Sequence, residues 1–151
     1  MVRLERTWRV ILVGLAIIAA LAHPADTRIE PASMAKLMTV AVVLDMVKRG
    51  ALSLSDQFFI SEHAWRTGGA PSGGSAMFAE LGSQVSVDDL LHSVIIQSGN
   101  DASIALAEGI AVSEPVFADI MNEFAQDIGL TDSHFTNASG LPDPDMYVTA
   151  R

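Results

Sequence analysis

The stretch 30–39 limits the fold most strongly, because it places a serine and a lysine three residues apart at the start of a predicted helix. Pro31 suits the entry to a helix, since its fixed φ fits the first turn and its missing N–H is not needed there. Residues three apart share one face of a helix, so the side chains of Ser33 and Lys36 can touch. The predicted helix spans 32–49 and carries apolar residues at helical spacing: Leu37, Val40, Ala41, Leu44 and Val47.

Ser33 and Lys36 form a pair suited to nucleophilic chemistry. A serine hydroxyl is a poor nucleophile until a neighbouring base takes its proton. A lysine can be that base when its pKa is lowered, and burial has this effect because it disfavours the charged amine. Lys36 lines up with Val40 and Leu44, which puts its amine at the edge of the predicted core. The alternative is a helix-capping serine beside a surface lysine, although a capping box would place Glu or Gln at position 36.

The composition excludes several classes of protein. The chain has 151 residues, enough for one domain, and half of them are hydrophobic, so it can bury a core. Its net charge of -9 and pI near 4.6 argue against nucleic acid as a partner, since nucleic acid requires a basic face. Cysteine is absent, so neither a disulfide framework nor a thiolate metal site is expected.

The N-terminal residues match the pattern of a secretory signal peptide. Three arginines precede the apolar run 10–22, which ends in the small-x-small sequence Ala-Leu-Ala. At 13 residues this run is shorter than the roughly 18 that a membrane span requires. We therefore predict a signal peptide at residues 1–22, a mature domain at 23–151, and export. An uncleaved N-terminal anchor and a core helix are the alternatives.

The rest of the pattern predicts a mainly helical body with little strand. A short strand is predicted at 58–60, and the segment 67–75, rich in Gly, Pro and Ser, is predicted to be a loop. Further helices are predicted at 87–97, at 101–111 and from Ser113 to Gly129. The first of these is expected to bury Leu90, Leu91, Val94 and Ile95.

A polar tripeptide, Ser98-Gly99-Asn100, lies between two of the predicted helices. Buried polar side chains are unfavourable unless they have hydrogen-bond partners. Taken alone, the tripeptide reads as a turn between helices, because all three residue types favour turns. Combined with the Ser-x-x-Lys sequence of Ser33 and Lys36, it resembles the motif set of the penicillin-binding proteins and serine β-lactamases.

Longer stretches carry a more specific resemblance. They are Arg-Ile-Glu-Pro-Ala-Ser-Met-Ala-Lys-Leu-Met-Thr (28–39), Gly-Gly-Ser-Ala-Met-Phe (73–78), Ile-Gln-Ser-Gly-Asn-Asp-Ala (96–102) and Phe-x-Asn-x-x-Gly-Leu-Pro (135–142). From about residue 25 to 151 the chain is similar to the low-molecular-mass D-alanyl-D-alanine carboxypeptidases. The resemblance implies an α+β protein with the β-lactamase/DD-peptidase-like fold, here mainly its helical lobe with much of the antiparallel sheet missing. Residues 23–151 would then be a partial DD-peptidase/transpeptidase-like catalytic domain.

The resemblance implies an exported serine peptidase that removes the terminal D-alanine of peptidoglycan stem peptides ending in D-Ala-D-Ala. It also implies that β-lactam antibiotics acylate the same serine. By motif position, Ser33 would be the nucleophile and Lys36 its base, and the Ser33 backbone N–H would be one oxyanion donor. Ser98 would relay a proton to the leaving amine, and Asn100 would bind the substrate's peptide group and hold Lys36.

The same resemblance implies the surroundings in which such an enzyme works. It would act in the periplasm or at the outer face of a bacterial inner membrane, without a metal, a cofactor or nucleic acid. Its N-terminal segment would provide any association with that membrane. The histidines lack ligand spacing and are predicted to lie at the surface: His23, His63, His92 and His134.

The chain departs from the family pattern in two places. No lysine follows Lys48, so the third family motif, Lys-Thr-Gly on a core strand, has no counterpart. In the family this strand supplies the second oxyanion N–H and the cation that binds the substrate carboxylate, and losing one oxyanion donor lowers the rate by about 10²–10³. The strands that precede the serine motif are also missing, so we expect the helices to leave a large apolar surface uncovered.

Two other functions stay open on this evidence. One is a non-catalytic, peptidoglycan-binding remnant that keeps the motifs without turnover. The other is a serine β-lactamase or esterase on the same scaffold. That reading would need a water-activating carboxylate near Ser33, where Glu30 is the nearest acid in the sequence.

Overall fold

The computed structural model describes residues 25–150, which form a body of four α-helices. The helices are α1 (Lys36–Lys48), α2 (Val87–Gln97), α3 (Asn100–Ala111) and α4 (Glu114–Asp127). α3 lies at the centre, because its residues 100–107 are all buried and the other three helices contact it. The predicted signal peptide, residues 1–22, lies outside the described residues. Within residues 25–150, no helix has the length and apolar character needed to cross a bilayer.

The helix predicted at 32–49 begins as a tighter turn. Residues Ala32–Ala35 form a 3-10 turn, and α1 continues from it to Lys48, so the predicted bounds are confirmed to within one residue. Ser33 lies in the 3-10 turn and Lys36 is the first residue of α1. The turn therefore sets how the two side chains face each other.

The buried face of α1 differs from the one that the spacing suggested. Leu37 and Leu44 were expected beside the core but expose 74% and 48% of their surface. The buried residues after Lys36 are Met38, Thr39, Val42 and Val43. The helix is apolar on nearly all sides, so its periodicity fits two faces, and contact with the other helices decides which face is covered.

A similar correction applies to α2. Leu90, Leu91 and Val94 are buried as predicted, but Ile95 is 64% exposed. Ile95 and Leu37 border the same small cavity. Together they belong to a largely exposed apolar face that consists of Leu37, Val40, Leu44 and Ile95.

The ends of the later helices follow local sequence signals. Ser86 caps α2 by accepting a hydrogen bond from the Asp89 N–H at 3.1 Å, and Ser113 caps α4 in the same way. The bounds of α2 are those predicted, and those of α3 and α4 differ from the prediction by one or two residues. α3 ends at Val112, whose φ of 69° lies in a region that β-branched residues rarely adopt.

Two short strands form an antiparallel pair. They are β1 (Gln57–Phe59) and β2 (Gln84–Ser86), with Phe58 opposite Val85. The strand predicted at 58–60 is therefore confirmed with a shift of one residue, whereas its partner was not predicted. A helix-rich body with this small sheet agrees with the expected helical lobe of an α+β fold.

The segment predicted as a loop at 67–75 contains local structure. It starts within a π-helical turn, Ala64–Gly68, and includes a short 3-10 turn, Ala70–Ser72. The turn Ala64–Gly68 contacts α3 closely. A Cβ on Gly68 would overlap the α3 backbone at Asp101, so this contact depends on glycine.

The two ends of the described chain pair with each other. Ile29 and Val148 exchange two backbone hydrogen bonds of 2.9 Å, and the Ala150 N–H donates to the Ala25 carbonyl at 2.9 Å. These two segments, 25–29 and 148–150, form a terminal ribbon. The ribbon anchors the chain just before the turn that contains Ser33.

Candidate active site

Lys36 is the centre of the site. Its residue surface is only 4% exposed, and its amine lies within hydrogen-bond distance of three oxygens. The Nζ atom is 2.7 Å from Asn100 Oδ1, 2.6 Å from the Ser139 carbonyl and 3.4 Å from Ser33 Oγ. Three distant parts of the chain therefore meet at one amine.

The environment of Lys36 makes its amine easier to deprotonate. Burial lowers the pKa of Lys36 from 10.5 to about 8, because the charged amine loses hydration. A neutral amine has two hydrogens, and Asn100 and Ser139 offer two close acceptors for them. The nitrogen lone pair is then left for the third neighbour, Ser33 Oγ. The arrangement can thus accept a proton from the serine hydroxyl.

Ser33 lies on a strained turn. The preceding residue, Ala32, has a φ of 47°, in the left-handed region that costs a residue with a side chain about 1–3 kcal/mol. Gly140 fits closely here, because a Cβ at that position would overlap the Ala32 carbonyl. Ser33 itself is exposed, so its hydroxyl is accessible beside the buried amine.

The Ser98-Gly99-Asn100 turn contributes one residue to the cavity beside Ser33 and another to the contacts of Lys36. Ser98 ends α2 with a φ of 58° and lines a cavity of about 220 Å³ together with Ser33 and Lys36. Asn100 begins α3 and is 8% exposed, and its backbone N–H donates to the Ser75 carbonyl at 2.8 Å. The structure therefore brings all four predicted site residues together.

Asp101 is a buried residue that the sequence analysis did not single out. Its carboxylate accepts hydrogen bonds from the N–H groups of Met77 at 2.8 Å, Ala102 at 2.9 Å and Ala79 at 3.4 Å. These contacts fix the 76–79 segment against the start of α3, beside Asn100. The available signal was an acid in the first turn of an apolar helix, where a carboxylate is favoured.

The 137–140 loop was also missed as part of the site. It contributes the Ser139 carbonyl to Lys36, and a backbone contact leaves no side-chain signature in a sequence. The Asn137 side chain organises the loop, because its Oδ1 accepts from the N–H groups of Ser139 and Gly140. Asn137 and Gly140 belong to one of the stretches that carried the family resemblance.

None of the histidines in residues 25–150 is hydrogen-bonded to Ser33 or Lys36. His63, His92 and His134 are exposed, as predicted, and His23 lies outside the described residues. Within residues 25–150, no group of three or more His, Cys, Asp or Glu side chains could hold a metal ion.

Comparison with protein families gives a match over nearly the whole chain. Residues 16–151 match the model of peptidase S11, D-alanyl-D-alanine carboxypeptidase. The chain is 45% identical to D-alanyl-D-alanine carboxypeptidase DacC of Escherichia coli K12 over 128 residues, which cover 84% of this chain and 32% of that protein. It is 39% identical to DacF of Bacillus subtilis over 125 residues, covering 83% of this chain and 31% of that protein.

Solved structures give the same result. The crystal structure of the D-alanyl-D-alanine carboxypeptidase DacD from Francisella tularensis matches with a TM-score of 0.78 and 42% identity, over 84% of this chain and 30% of that one. Penicillin-binding protein 5 from Haemophilus influenzae matches with a TM-score of 0.78 and 43% identity, over 84% of this chain and 36% of that one. The chain spans about a third of the length of the curated relatives it matches. On the family match and these identities, the chain belongs to the peptidase S11 family of D-alanyl-D-alanine carboxypeptidases.

Proposed function

We propose that this protein is an exported serine D-alanyl-D-alanine carboxypeptidase that removes the terminal D-alanine from peptidoglycan stem peptides through an acyl-enzyme on Ser33. The observation that carries the proposal is the placement of the Lys36 amine, buried and within reach of the exposed Ser33 hydroxyl. Family membership supports the choice of substrate.

In the first step, Ser33 Oγ attacks the carbonyl carbon between the last two D-alanines while Lys36 takes the hydroxyl proton. The peptide C–N bond breaks, and the leaving amine of the terminal D-alanine receives a proton through Ser98, which lines the same cavity. Asn100 binds the peptide group of the substrate and holds Lys36. The Ser33 N–H stabilises the oxyanion that forms. Water then hydrolyses the ester and restores Ser33.

The protonation state of Lys36 sets the pH at which this step is fast. With a pKa of about 8, roughly one tenth of the lysine is neutral at pH 7, against well under a thousandth for a lysine at 10.5. Acylation should therefore accelerate as the pH rises towards 8. The same serine would react with β-lactams, which mimic the acyl donor.

The setting of the reaction follows from the N-terminal segment. Residues 1–22 would act as a signal peptide, or as an anchor to the inner membrane if they are retained. The mature domain, 23–151, would then meet peptidoglycan in the periplasm or at the outer face of that membrane. Its strongly acidic composition suits a peptide substrate better than nucleic acid.

The second candidate is a peptidoglycan-binding protein without turnover. It would keep the Ser33, Lys36, Ser98 and Asn100 motifs for binding the stem peptide, without acylation of Ser33.

The test is intact-protein mass spectrometry of the 151-residue chain after incubation with benzylpenicillin. We expect the wild type to gain the mass of one penicillin and Ser33→Ala to gain none, because only Oγ can form the ester. Release of D-alanine from a peptide ending in D-Ala-D-Ala, measured in parallel, tests turnover. A folded wild type that forms no adduct and releases no D-alanine would refute the enzyme reading and favour the binding protein.

A further inference from the structure

The 137–140 loop supports both members of the Ser33–Lys36 pair. Its Ser139 carbonyl accepts a hydrogen bond from Lys36 Nζ at 2.6 Å. Its Gly140 packs so closely on the Ala32 carbonyl that a Cβ could not be added there. The position of this loop therefore sets both the direction of the lysine amine and the turn that carries the serine.

The loop is held from two sides at Ala138, outside the reacting groups. The Thr39 hydroxyl donates to the Ala138 carbonyl at 2.7 Å from within α1. From α4, the Glu114 carboxylate accepts the Ala138 N–H at 3.0 Å. The Asn137 side chain bonds only to residues 139–141, so Thr39 and Glu114 are the side chains that tie Ala138 to the helices.

Glu114 is well placed to hold a backbone group firmly. Its side chain is only 12% exposed, and it is the first residue of α4, where the helix dipole favours a negative charge. Its second carboxylate oxygen lies 3.3 Å from His63 Nε2, and His63 Nδ1 lies 3.3 Å from the Thr67 hydroxyl. Hydrogen bonds to an ionised acceptor are stronger than neutral ones.

We propose that Glu114 is a positioning residue for Lys36, because its hold on Ala138 keeps the Ser139 carbonyl against the lysine amine. This inference rests on the proposed function, in which Lys36 is the base. Without the carboxylate, the Ala138 N–H loses its partner and the loop loosens. Water then reaches Lys36, and the amine turns away from Ser33.

The test compares Glu114→Ala with the wild type of the full chain by two measurements. The first is the pKa of Lys36, from the pH titration of its ¹³Cε resonance, which needs no activity. We expect it to rise by about one unit in Glu114→Ala, because water restores hydration of the charged amine. The second is the pH profile of acylation by benzylpenicillin, which should move to higher pH and slow about tenfold at pH 7 as the neutral fraction falls.

Three further variants test whether Glu114 acts by positioning the loop or by its charge. Glu114→Gln keeps an oxygen acceptor for the Ala138 N–H and should restore both measurements to near the wild-type values. Glu108 and Glu114 both line a cavity near the start of α4. Glu108→Ala removes this second acid and should leave both measurements unchanged. Thr39→Val removes the other tie to Ala138 and should raise the Lys36 pKa in the same direction.

Three results would overturn the inference. They are an unchanged Lys36 pKa and pH profile in Glu114→Ala, an effect of Glu114→Gln as large as that of the alanine variant, and an equal effect of Glu108→Ala. If the wild type forms no penicillin adduct, the proposed function fails. The Lys36 titration still decides the role of Glu114 in that case.

Discussion

Lys36 is buried against two neutral acceptors, Asn100 and the Ser139 carbonyl, and this makes the stability of the lobe depend on pH. Its pKa is about 8 in the folded protein and 10.5 as the ordinary value. Between these values the unfolded chain holds a proton that the folded chain has released. The free energy of unfolding therefore rises with pH across this window. Below pH 8 the folded protein carries the charged amine, and the full cost of burying that charge lowers its stability.

We predict that the free energy of unfolding of the wild type, relative to Lys36→Met, increases by about 3 kcal/mol from pH 7.5 to 10.5. Urea titrations at several pH values measure this difference, and comparison with the variant cancels the other titrating groups. Lys48→Met, at the exposed end of α1, is the control and should keep the wild-type slope. A Lys36→Met variant whose slope parallels the wild type would contradict the prediction.

At the same scale, the side chains of the site could be predicted from the sequence, but its backbone groups could not. Ser33 and Lys36 follow from helical spacing, and Ser98 and Asn100 from a polar turn between apolar helices. The Ser139 carbonyl could not be found in this way, because every residue type has a carbonyl. Asp101 was missed because its partners are backbone N–H groups, two of them more than twenty residues away in sequence.

At the scale of elements, the residue that follows α3 is of a type that disfavours the backbone conformation found there. Val112 has a φ of 69° and is 90% exposed, so its side chain gains little burial in return for an unfavourable backbone. Helices usually end in this conformation at glycine, which has no Cβ to clash.

We predict that Val112→Gly raises the free energy of unfolding by about 1 kcal/mol, after allowing for the greater freedom of glycine in the unfolded chain. Thermal denaturation should show an increase of a few degrees in Tm. Ala111→Gly, one residue earlier and inside α3, is the control and should lower Tm, since glycine weakens a helix. A Val112→Gly variant less stable than the wild type would contradict the prediction.

The bounds of an element were predicted correctly where one local sequence signal dominates. α2 has the predicted bounds because Ser86 caps its start and Ser98, in the left-handed conformation, ends it. β2 was missed because three residues are too few for alternation to be visible. The covered face of α1 could not be decided, because a helix that is apolar all round takes its orientation from its neighbours.

At the scale of the whole molecule, the apolar face formed by Leu37, Val40, Leu44 and Ile95 lies beside the cavity that Ser33 and Lys36 line. Leu37 and Ile95 are 74% and 64% exposed. The expectation of an uncovered apolar surface is met at these residues. In water such a surface favours association, because burying it releases hydration water.

We predict that Leu44→Lys with Ile95→Lys reduces self-association of the chain. Sedimentation velocity over a range of concentrations measures the effect, and the free energy of unfolding should change by less than about 0.5 kcal/mol per site. Leu54→Lys with Val116→Lys, at half-exposed positions elsewhere, adds the same charge and is the control. Equal effects of the two pairs would show that added charge, and not this face, controls association.

The terminal ribbon has a topological consequence. Ala25 and Ala150 are joined by a backbone hydrogen bond, so the first and last of residues 25–150 lie side by side. A segment with adjoining ends can be inserted into another polypeptide, or circularly permuted, without its interior being rethreaded. The lobe would then join a host chain at a single place on its surface, and this place lies a few residues before Ser33 in the sequence.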